Sequence, residues 1–453
     1  MGSENAAKQE LRTIHFPRDR AVGTLIAGRM VLAGTTEWDW STRWVARGAV
    51  QVPKASRLRL EWAGGVHDLS PLLELEPDDL SLLYLTSGDV SWLDDERARP
   101  IAHLRGLEEL ALAQSAITDA AFHHLATLAR LQKLYLGNTR ITGSGFGALL
   151  ATESLQVLDL GETDVGDRGL GELQRFPMLL DLDLADIQGR YTKRGLANLL
   201  KISSLERISL HGLASIPKEI VAGLAELTSL REAALSRTGL TDASLGALHG
   251  PPSLRILDLS YTRVRGPGLQ CLQWLPNLRA LLLNGTGVTD SALGYLGYTP
   301  DLEALEMGDT KVTDASLAAI RPLEGLRRLV LDDTPVSDSG MHHIGHLHSL
   351  EQLAVSHTKV GDAGLHVLRH LSRLTMLSMR EAGDISDDGL VSLATLGALE
   401  QLFLGPTTVT DGGLRHLYGL RRLRTLFLTA PAVTDAGAAA LRAALPDCGI
   451  HVN

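Results

Sequence analysis

The sequence is poor in aromatic residues and in cysteine, and it has no long apolar run. Phe, Trp and Tyr make up 4% of the 453 residues, whereas apolar residues of all kinds reach 44%. Leu dominates this apolar fraction, and a core filled by one residue type suits a repeated layer better than an irregular globule. Length excludes a single compact core, because cores stop growing at roughly 250–300 residues. The chain is therefore divided into domains or built by repetition.

The two cysteines, Cys271 and Cys448, lie far apart and lack the spacing of metal ligands. We interpret them as reduced thiols rather than as a disulfide or a zinc site. The first residues contain no apolar segment typical of a signal peptide. The most apolar stretch, Thr24–Leu32, contains Arg29 and is too short to cross a bilayer. These features predict a cytoplasmic protein without membrane association.

An excess of basic residues is also missing. The chain has 43 Lys and Arg against 53 Asp and Glu, which gives a net charge of −10. Binding to a nucleic-acid backbone depends on clustered Lys and Arg, so we expect no nucleic-acid partner. The acidic balance favours solubility and a basic partner.

Leucines recur with a period of 24 residues, lengthened in two units. The units begin at Leu107, Leu131, Leu155, Leu179, Leu205, Leu230, Leu254, Leu278, Leu302, Leu326, Leu350, Leu374, Leu399 and Leu423. Each follows the pattern L-x-x-L-x-L-x-x-T-x-V-T-D-x-x-L-x-x-L-x-x-L. The L-x-L segment alternates with period two and predicts a short strand. The later leucines are three residues apart and predict one face of a helix or helical turn.

An aspartate that follows Thr, Ser or Gly marks the start of predicted helices, as at Asp290, Asp314, Asp338 and Asp362. An acidic group at this point accepts free N–H groups of the helix start and complements the helix dipole. One unit is therefore a strand, a turn and a helix. It cannot bury its leucines alone, so the units must stack.

This pattern resembles the leucine-rich repeat family, and within it the strand–helix repeats of F-box-associated and bacterial GALA-type proteins. The resemblance covers roughly residues 80–453 and implies an α/β solenoid: a curved horseshoe with parallel strands on the concave face and helices on the convex face. The position usually held by Asn is Thr, and we expect a ladder of hydroxyls to bond the turn backbone. These residues are Thr139, Thr163, Thr238, Thr262, Thr286, Thr310, Thr334 and Thr358. No F-box-like segment is found, so an adaptor role in ubiquitin ligation is not implied.

The ends of the chain depart from the repeat. We predict a disordered terminus over 1–10, a β-rich N-terminal cap over 11–53, and a solenoid of about 14–16 repeats over 54–453 that closes in a half repeat. The alternative for 11–53 is a separate functional domain. Two longer units, after Leu184 and after Leu210, insert surface segments that either flank a binding site or reflect drift.

Outward strand positions should line the concave face, where two groups of carboxylates meet. The first group is Asp159, Glu162, Asp181, Asp183 and Asp186; the second is Glu306, Asp309, Asp332 and Asp333, with Asp258 two strands away. Like charges on adjacent strands are destabilising, so their repetition favours capture of a basic peptide. The alternatives are a solvated acidic surface and a cation site.

Aromatic residues on the same face are the other candidates for partner binding. Phe403 and Phe427 share a column on adjacent strands and should be exposed together as a hot spot, unless the C-terminal end covers them. The predicted partner-binding set is Asp159, Glu162, Asp181, Asp183, Asp258, Tyr261, Glu306, Asp309, Asp332, Asp333, His357, Phe403 and Phe427.

The remaining chemistry-bearing residues are histidines on predicted convex helices. His342 and His346, and one unit later His366 and His370, have the i,i+4 spacing of a zinc-binding pair. No accompanying carboxylate motif exists, so we predict neither a metal nor a cofactor.

Signatures of catalysis are also missing: the sequence has no P-loop, no nucleotide-binding glycine motif after a strand and no nucleophile elbow. We predict a non-enzymatic scaffold that binds a protein or peptide on the concave face. The alternatives are an enzyme acting on a bound peptide through concave carboxylates and histidines such as His211 or His357, and a structural or self-assembling element.

Overall fold

The computed structural model describes residues 10–30, 38–149 and 153–453. The predicted disordered terminus therefore lies outside the described residues, except for Glu10. The chain forms two compact units, residues 1–210 and residues 211–453.

The first unit is built on a sheet that changes from antiparallel to parallel strands. Its strands are β1 (Leu11–His15), β2 (Gly23–Met30), β3 (Trp38–Val45), β4 (Ala49–Pro53), β5 (Arg57–Trp62), β6 (Leu82–Tyr84), β7 (Glu109–Ala111), β8 (Lys133–Tyr135), β9 (Val157–Asp159), β10 (Asp181–Asp183) and β11 (Arg207–Ser209). β1 pairs with β4 alone, and β2 lies antiparallel between β3 and β5. From β5 to β11 each strand pairs in parallel with the next. Residues 11–53 are thus β-rich, and their role as a cap stays a prediction.

The second unit is a parallel sheet in which each described strand pairs with the next in chain order. Its strands are β12 (Glu232–Ala234), β13 (Ile256–Asp258), β14 (Ala280–Leu282), β15 (Ala304–Glu306), β16 (Arg328–Val330), β17 (Gln352–Ala354), β18 (Met376–Arg380), β19 (Gln401–Gly405), β20 (Thr425–Leu428) and β21 (Gly449–Val452). The central leucine of each strand pairs with the leucine one period later, as Leu281 does with Leu305. The last strand, β21, adds Ile450 and Val452 to the sheet.

The segments between strands contain short helices. The α-helices are α1 (Ala121–Leu125), α2 (Asp167–Glu172), α3 (Lys193–Leu196), α4 (Lys218–Gly223), α5 (Asp242–Leu245), α6 (Asp338–Ile344), α7 (Asp362–Leu368), α8 (Asp387–Leu393), α9 (Asp411–Leu414) and α10 (Asp435–Ala444). The 3₁₀ helices are Ser70–Glu74, Arg99–His103, Phe146–Ala148, Leu173–Arg175, Leu199–Lys201, Leu224–Glu226, Pro267–Trp274, Asp290–Tyr298, Asp314–Ile320 and Arg415–Leu417. Residues i and i+3 eclipse in a 3₁₀ helix, so Leu293 and Leu296 face the core in either type.

The core of each unit is a stack of leucines. The central strand residues Leu158, Leu182, Leu305 and Leu329 are fully buried. Because the register advances by one period per strand, identical side chains meet layer upon layer. This explains how so few aromatic residues suffice.

The expected ladder of threonine hydroxyls is confirmed. Each hydroxyl is buried and donates to the carbonyl three residues earlier in its own repeat, as Thr310 Oγ1 does to the Met307 oxygen at 2.7 Å. The bonds therefore close the turn that leaves the strand, and they do not run between repeats.

Replacing Thr310 by Val should lower the free energy of unfolding by about 1–2 kcal/mol. The shape is nearly kept, but the buried Met307 carbonyl loses its hydroxyl donor. Urea denaturation followed by circular dichroism measures the effect. A Thr310→Ser variant keeps the hydroxyl and serves as control; if Ser and Val cost the same, the bond contributes nothing.

The aspartates at the helix starts bond a different partner from the one we expected. In α6 the helix is capped by Ser337, whose hydroxyl accepts the Ser339 amide. Asp314, one repeat earlier, accepts the Ser337 amide at 2.8 Å and the Ser337 hydroxyl at 2.5 Å. The prediction placed this bond within one repeat, and it was wrong on that point: the carboxylate joins consecutive repeats.

The same link recurs along the chain. Asp290 bonds Thr313, Asp362 bonds Ser386, Asp387 bonds Thr410 and Asp411 bonds Thr434. Hydrogen bonds from the Thr434 hydroxyl and amide lower the pKa of Asp411. The bonds to the next repeat thus favour the ionised form of the Asp411 carboxylate.

Candidate functional site

In the parallel strands from β6 to β20, the first and third residues flank the buried second residue, and we call the surface that they form the strand face. In the first unit, Asp159 of β9 lies directly opposite Asp183 of β10. Asp181 is paired with Arg207 at 2.8 Å. Asp159 and Asp183 accept only the amides of Gly161 and Ala185, at 2.9 and 2.8 Å. Among the described residues, no cation pairs with either of these two carboxylates.

Burial raises the pKa of Asp159, the Gly161 amide opposes this, and the negative charges of Asp183, Asp181 and Glu162 raise it further. The ionised form is therefore disfavoured by its surroundings. A cation held over Asp159 and Asp183 would remove much of this penalty.

Two tyrosines and a glutamate extend this surface toward the N-terminal strands. Tyr135 precedes Asp159 in the same row, and burial raises its pKa to about 12, with Glu109 adding to the effect. The Tyr84 hydroxyl donates to Glu109, which also pairs with Lys133 at 3.3 Å. Sequence reasoning missed Tyr84 and Glu109 as site residues. Tyr84 is the third residue of its strand and Glu109 is the first residue of the next, and these outward positions of the L-x-L pattern are the signal that could have found them.

The second carboxylate group, on the strand face of the second unit, is only partly available. Glu306 accepts Nε of Arg328 at 2.7 Å and Nδ2 of Asn284 at 2.7 Å. Asp258 accepts the Ser260 amide, and Leu282 lies between it and Glu306. Glu306 thus has a cationic partner within the chain, Arg328. Asp258 is separated from Glu306 by the intervening strand.

Asp332 and Asp333 follow strand β16 in the same unit. Burial raises the pKa of Asp332, the Ser356 amide and hydroxyl oppose this, and the charge of Asp333 adds to the increase. The Ser356 amide donates to Asp332 at 2.6 Å. No ion pair is found for Asp309, Asp332 or Asp333 in the described part of the chain.

Several predicted site residues lie in turns rather than in strands. Glu162, Tyr261, Asp309, Asp333 and His357 all adopt a positive φ between 52 and 57°. Their amides donate to the next repeat, as Tyr261 N does to the Asn284 oxygen at 2.6 Å. The turn therefore continues the backbone ladder beyond the strand and presents a row of side chains beside the strand face.

Tyr261 is more exposed than the other two aromatic residues of the predicted set, Phe403 and Phe427: 52% of its surface is accessible to solvent. The guanidinium of Arg237 lies 4.9 Å from its ring centre. On the neighbouring repeat, a Cβ added at Gly285 would lie 2.3 Å from the ring, so this glycine leaves the space that the tyrosine uses.

A row of stacked rings occupies the C-terminal strands of the second unit. Phe403 and Phe427 stack at 5.5 Å, and His451 of β21 stacks on Phe427 at 4.4 Å. Arg380 lies 4.8 Å from the Phe403 ring. Phe427 is exposed and Phe403 is half-buried. The final strand thus extends the aromatic row instead of covering it.

The four histidines at i,i+4 spacing are exposed on α6 and α7 and the turns that follow these helices. Arg369 donates to Nε2 of His370 at 2.9 Å and contacts Nε2 of His366. Across residues 10–30, 38–149 and 153–453, no three His, Cys, Asp or Glu side chains are grouped as metal ligands.

The repeat architecture and its parallel strand ladder agree with comparisons to known proteins. A family model described as a leucine-rich repeat matches residues 153–173, 250–272 and 346–368. Together with the recurring strand, hydroxyl and carboxylate ladders, these matches identify the class. Three segments of the chain thus match the leucine-rich repeat family, and the structure has the fold of such repeat proteins. No curated protein matches the sequence.

Two of the following solved structures share the fold at a TM-score of 0.50 or above. A leucine-rich repeat protein of Leptospira interrogans has a TM-score of 0.51 at 18% identity, over 87% of this chain and 89% of its own. TLR13, solved with ssRNA13, has a TM-score of 0.50 at 18% identity, over 78% of this chain and 59% of its own. An internalin (inlF) of Listeria monocytogenes has a TM-score of 0.49 at 22% identity, over 72% of this chain and 81% of its own. Repeat proteins of this kind typically serve as binding scaffolds. None of the described helices is long and apolar enough to cross a membrane.

Proposed function

We propose that this chain is a binding scaffold whose strand face holds a protein or peptide segment with basic side chains. The observation that carries the proposal is the pair Asp159 and Asp183, opposed on adjacent strands without a cation among the described residues. Such an arrangement disfavours the folded state. A Lys or Arg side chain of a partner would relieve it.

The neighbouring aromatic residues fit the same partner. The faces of Tyr135 and Tyr84 offer surfaces on which an Arg or Lys stem stacks. In the second unit, Arg237 over Tyr261 and Arg380 over Phe403 show this geometry within the chain itself. Tyr, Trp and Arg dominate binding hot spots, so rings next to carboxylates suit a basic peptide.

The partner that we propose is a peptide rather than a nucleic acid. The net charge of −10 opposes a polyanion, although TLR13 was solved with an RNA. The cytoplasmic location expected from the two cysteines stays a prediction; both thiols are free in the structure.

Selection of a random peptide library on the immobilised chain tests the proposal. We expect enrichment of peptides with several Lys or Arg residues, and we expect Asp309→Lys/Asp332→Lys/Asp333→Lys to weaken the peptides that contact the second unit by tenfold or more. A matched control reverses the same number of charges at exposed positions remote from the strand face: Asp388, Asp435 and Glu324. Enrichment of neutral or acidic peptides would contradict the proposal.

The enzyme alternative has less support. The nearest arrangement to a catalytic pair is His211 Nδ1, which lies 2.8 Å from Ser236 Oγ. Ser236 is only 4% exposed, so a substrate has little access to this hydroxyl. His357 lies 3.4 Å from Glu381 in the turn row and has no nucleophile beside it among the residues described.

A further inference from the structure

The repeat that begins at Leu254 lacks the aspartate that joins one repeat to the next. It reads Val264-Arg265-Gly266 where the next repeat reads Val288-Thr289-Asp290, and the repeat that begins at Leu205, with Ile216-Pro217-Lys218, also has no aspartate at this point. The following cap residue is Thr289, which corresponds to Thr313 and Ser337 in later repeats. Those two receive the carboxylates of Asp290 and Asp314 on both amide and hydroxyl. In the described part of the chain, no carboxylate reaches Thr289.

The hydroxyl of Thr289 is also not used to cap its own helix, Asp290–Tyr298. It shares one hydrogen bond with the Ser291 hydroxyl at 3.1 Å. One of these two hydroxyl hydrogens therefore stays available to a ligand. In later repeats the corresponding amide and hydroxyl bind an aspartate carboxylate. Thr289 instead lines an open recess of about 880 Å³.

Three cations line this recess: Arg263, Arg265 and Lys311. None of them has an ion-pair partner among residues 10–30, 38–149 and 153–453. Arg263 pairs with Thr241 and Lys311 with Thr289 in short parallel bridges. The two cations thus stand in one row, roughly 10 Å apart at the backbone. The recess that they line is large enough for a phosphate group.

Glycine at position 287 keeps the space between the two cations open. A Cβ at this residue would lie 3.0 Å from Cγ of Arg265. Gly287 does not have a positive φ, so the backbone would accept another residue. A larger residue would crowd the side chain of Arg265, which passes beside it.

One carboxylate, that of Asp242, also lines the recess. It is engaged by the amides of Gly266 and Gly268 at 3.0 and 2.9 Å and by the amide of Arg265. Three positive charges against one negative charge leave an excess of two. This excess stands out in a chain with a net charge of −10.

We infer that this recess binds a phosphate monoester dianion in the place that an aspartate carboxylate occupies in other repeats. The Thr289 amide and the free hydroxyl donate to its oxygens, and Arg263, Arg265 and Lys311 neutralise its charge. A nucleic-acid backbone would need a longer track of cations, whereas the next position of this row after Lys311 is Pro335. The site lies away from the strand face and goes beyond the proposed function.

Calorimetric titration of the full chain with inorganic phosphate and with a phosphoserine peptide tests the inference. We expect saturable binding of both, weakened tenfold or more by Arg265→Gln and by Lys311→Gln. Thr289→Val should also weaken binding while the circular dichroism spectrum is kept, because its hydroxyl caps no helix. Lys359→Gln is the matched control: it stands in the same row, paired with Ser337, outside the recess.

The relative affinities identify the source of the phosphate. Tighter binding of the phosphopeptide assigns it to a modified partner, and equal or weaker binding assigns it to a free phosphate ester. The inference is overturned if no binding saturates below about 10 mM, if Lys359→Gln weakens binding as much as Arg265→Gln, or if single-stranded RNA without a terminal phosphate binds more tightly than either ligand.

Discussion

Replacing Gly389 by Ala should lower the free energy of unfolding by about 1–3 kcal/mol, as for an overpacked core. In an ordinary helix the same change stabilises by about 0.8–1.0 kcal/mol. The sign is reversed here because a Cβ at 389 would lie 2.3 Å from Oδ1 of Asp362. Hydrogen bonds to Ser386, at 2.9 and 2.5 Å, hold that carboxylate in place. The new methyl group must displace the link between two repeats.

Urea denaturation followed by circular dichroism checks this prediction. Gly397→Ala is the control in the same repeat: nothing lies within 4 Å of its added Cβ, and a small gain of stability is expected. A double-mutant cycle with Asp362→Ala isolates the contact. In the Asp362→Ala background the cost of Gly389→Ala should largely disappear. Equal shifts for both glycine variants would show that the steric contact is not the cause.

The same contact explains why glycine recurs two residues after the aspartate that begins a helix. Glycines two residues after an aspartate recur at Gly340, Gly364, Gly389, Gly413 and Gly437. Each would place a Cβ within 2.0–2.7 Å of the preceding repeat's carboxylate. Sequence reasoning assigned the aspartate to its own helix start, because a side chain's partner one period away cannot be seen in a local motif.

The leucine period was sufficient to predict the strands and their register. Leu281 and Leu305 are one period apart and pair directly, because stacked identical units bury identical faces. The positive φ of the turn was not predicted. Its occupants include Asn138, Asp309 and Gly285, residue types that tolerate the left-handed region, and this enrichment is the signal that was overlooked.

The candidate site was predictable only where it follows from the period. Asp159 and Asp183 were expected on adjacent strands, and the structure places them opposite each other. The pairing of Glu306 with Arg328 was not expected, since it depends on the side-chain conformation of an arginine in the neighbouring row. Tyr84 was missed because it precedes the first unit of the regular period, at Leu107, and Glu109 was missed because its partner Tyr84 lies outside that period.

Replacing both Asp159 and Asp183 by Asn should stabilise the fold and abolish most of the affinity for basic peptides. Removing like charges on opposed strands is worth about 0.2–1 kcal/mol, and each Asn keeps an oxygen for the Gly161 or Ala185 amide. Loss of two cation partners should weaken a Lys- or Arg-rich peptide at least tenfold, or about 1.4 kcal/mol. Asp164→Asn/Glu153→Gln, at exposed positions nearby, makes the same change of charge and should alter neither property.

The pH dependence of this stabilisation separates the charge effect from a change in packing. Because burial holds the pKa of Asp159 above 3.8, the wild-type fold gains stability as the pH falls through that raised pKa and loses it again as the pH rises. The advantage of the double Asn variant should therefore be largest at neutral pH and vanish below pH 3.8. Peptide binding by the wild type should weaken over the same range, since protonation removes the charge that attracts the ligand. A stability difference that stays constant from neutral to acid pH would mean that packing, and not ionisation, distinguishes the two proteins.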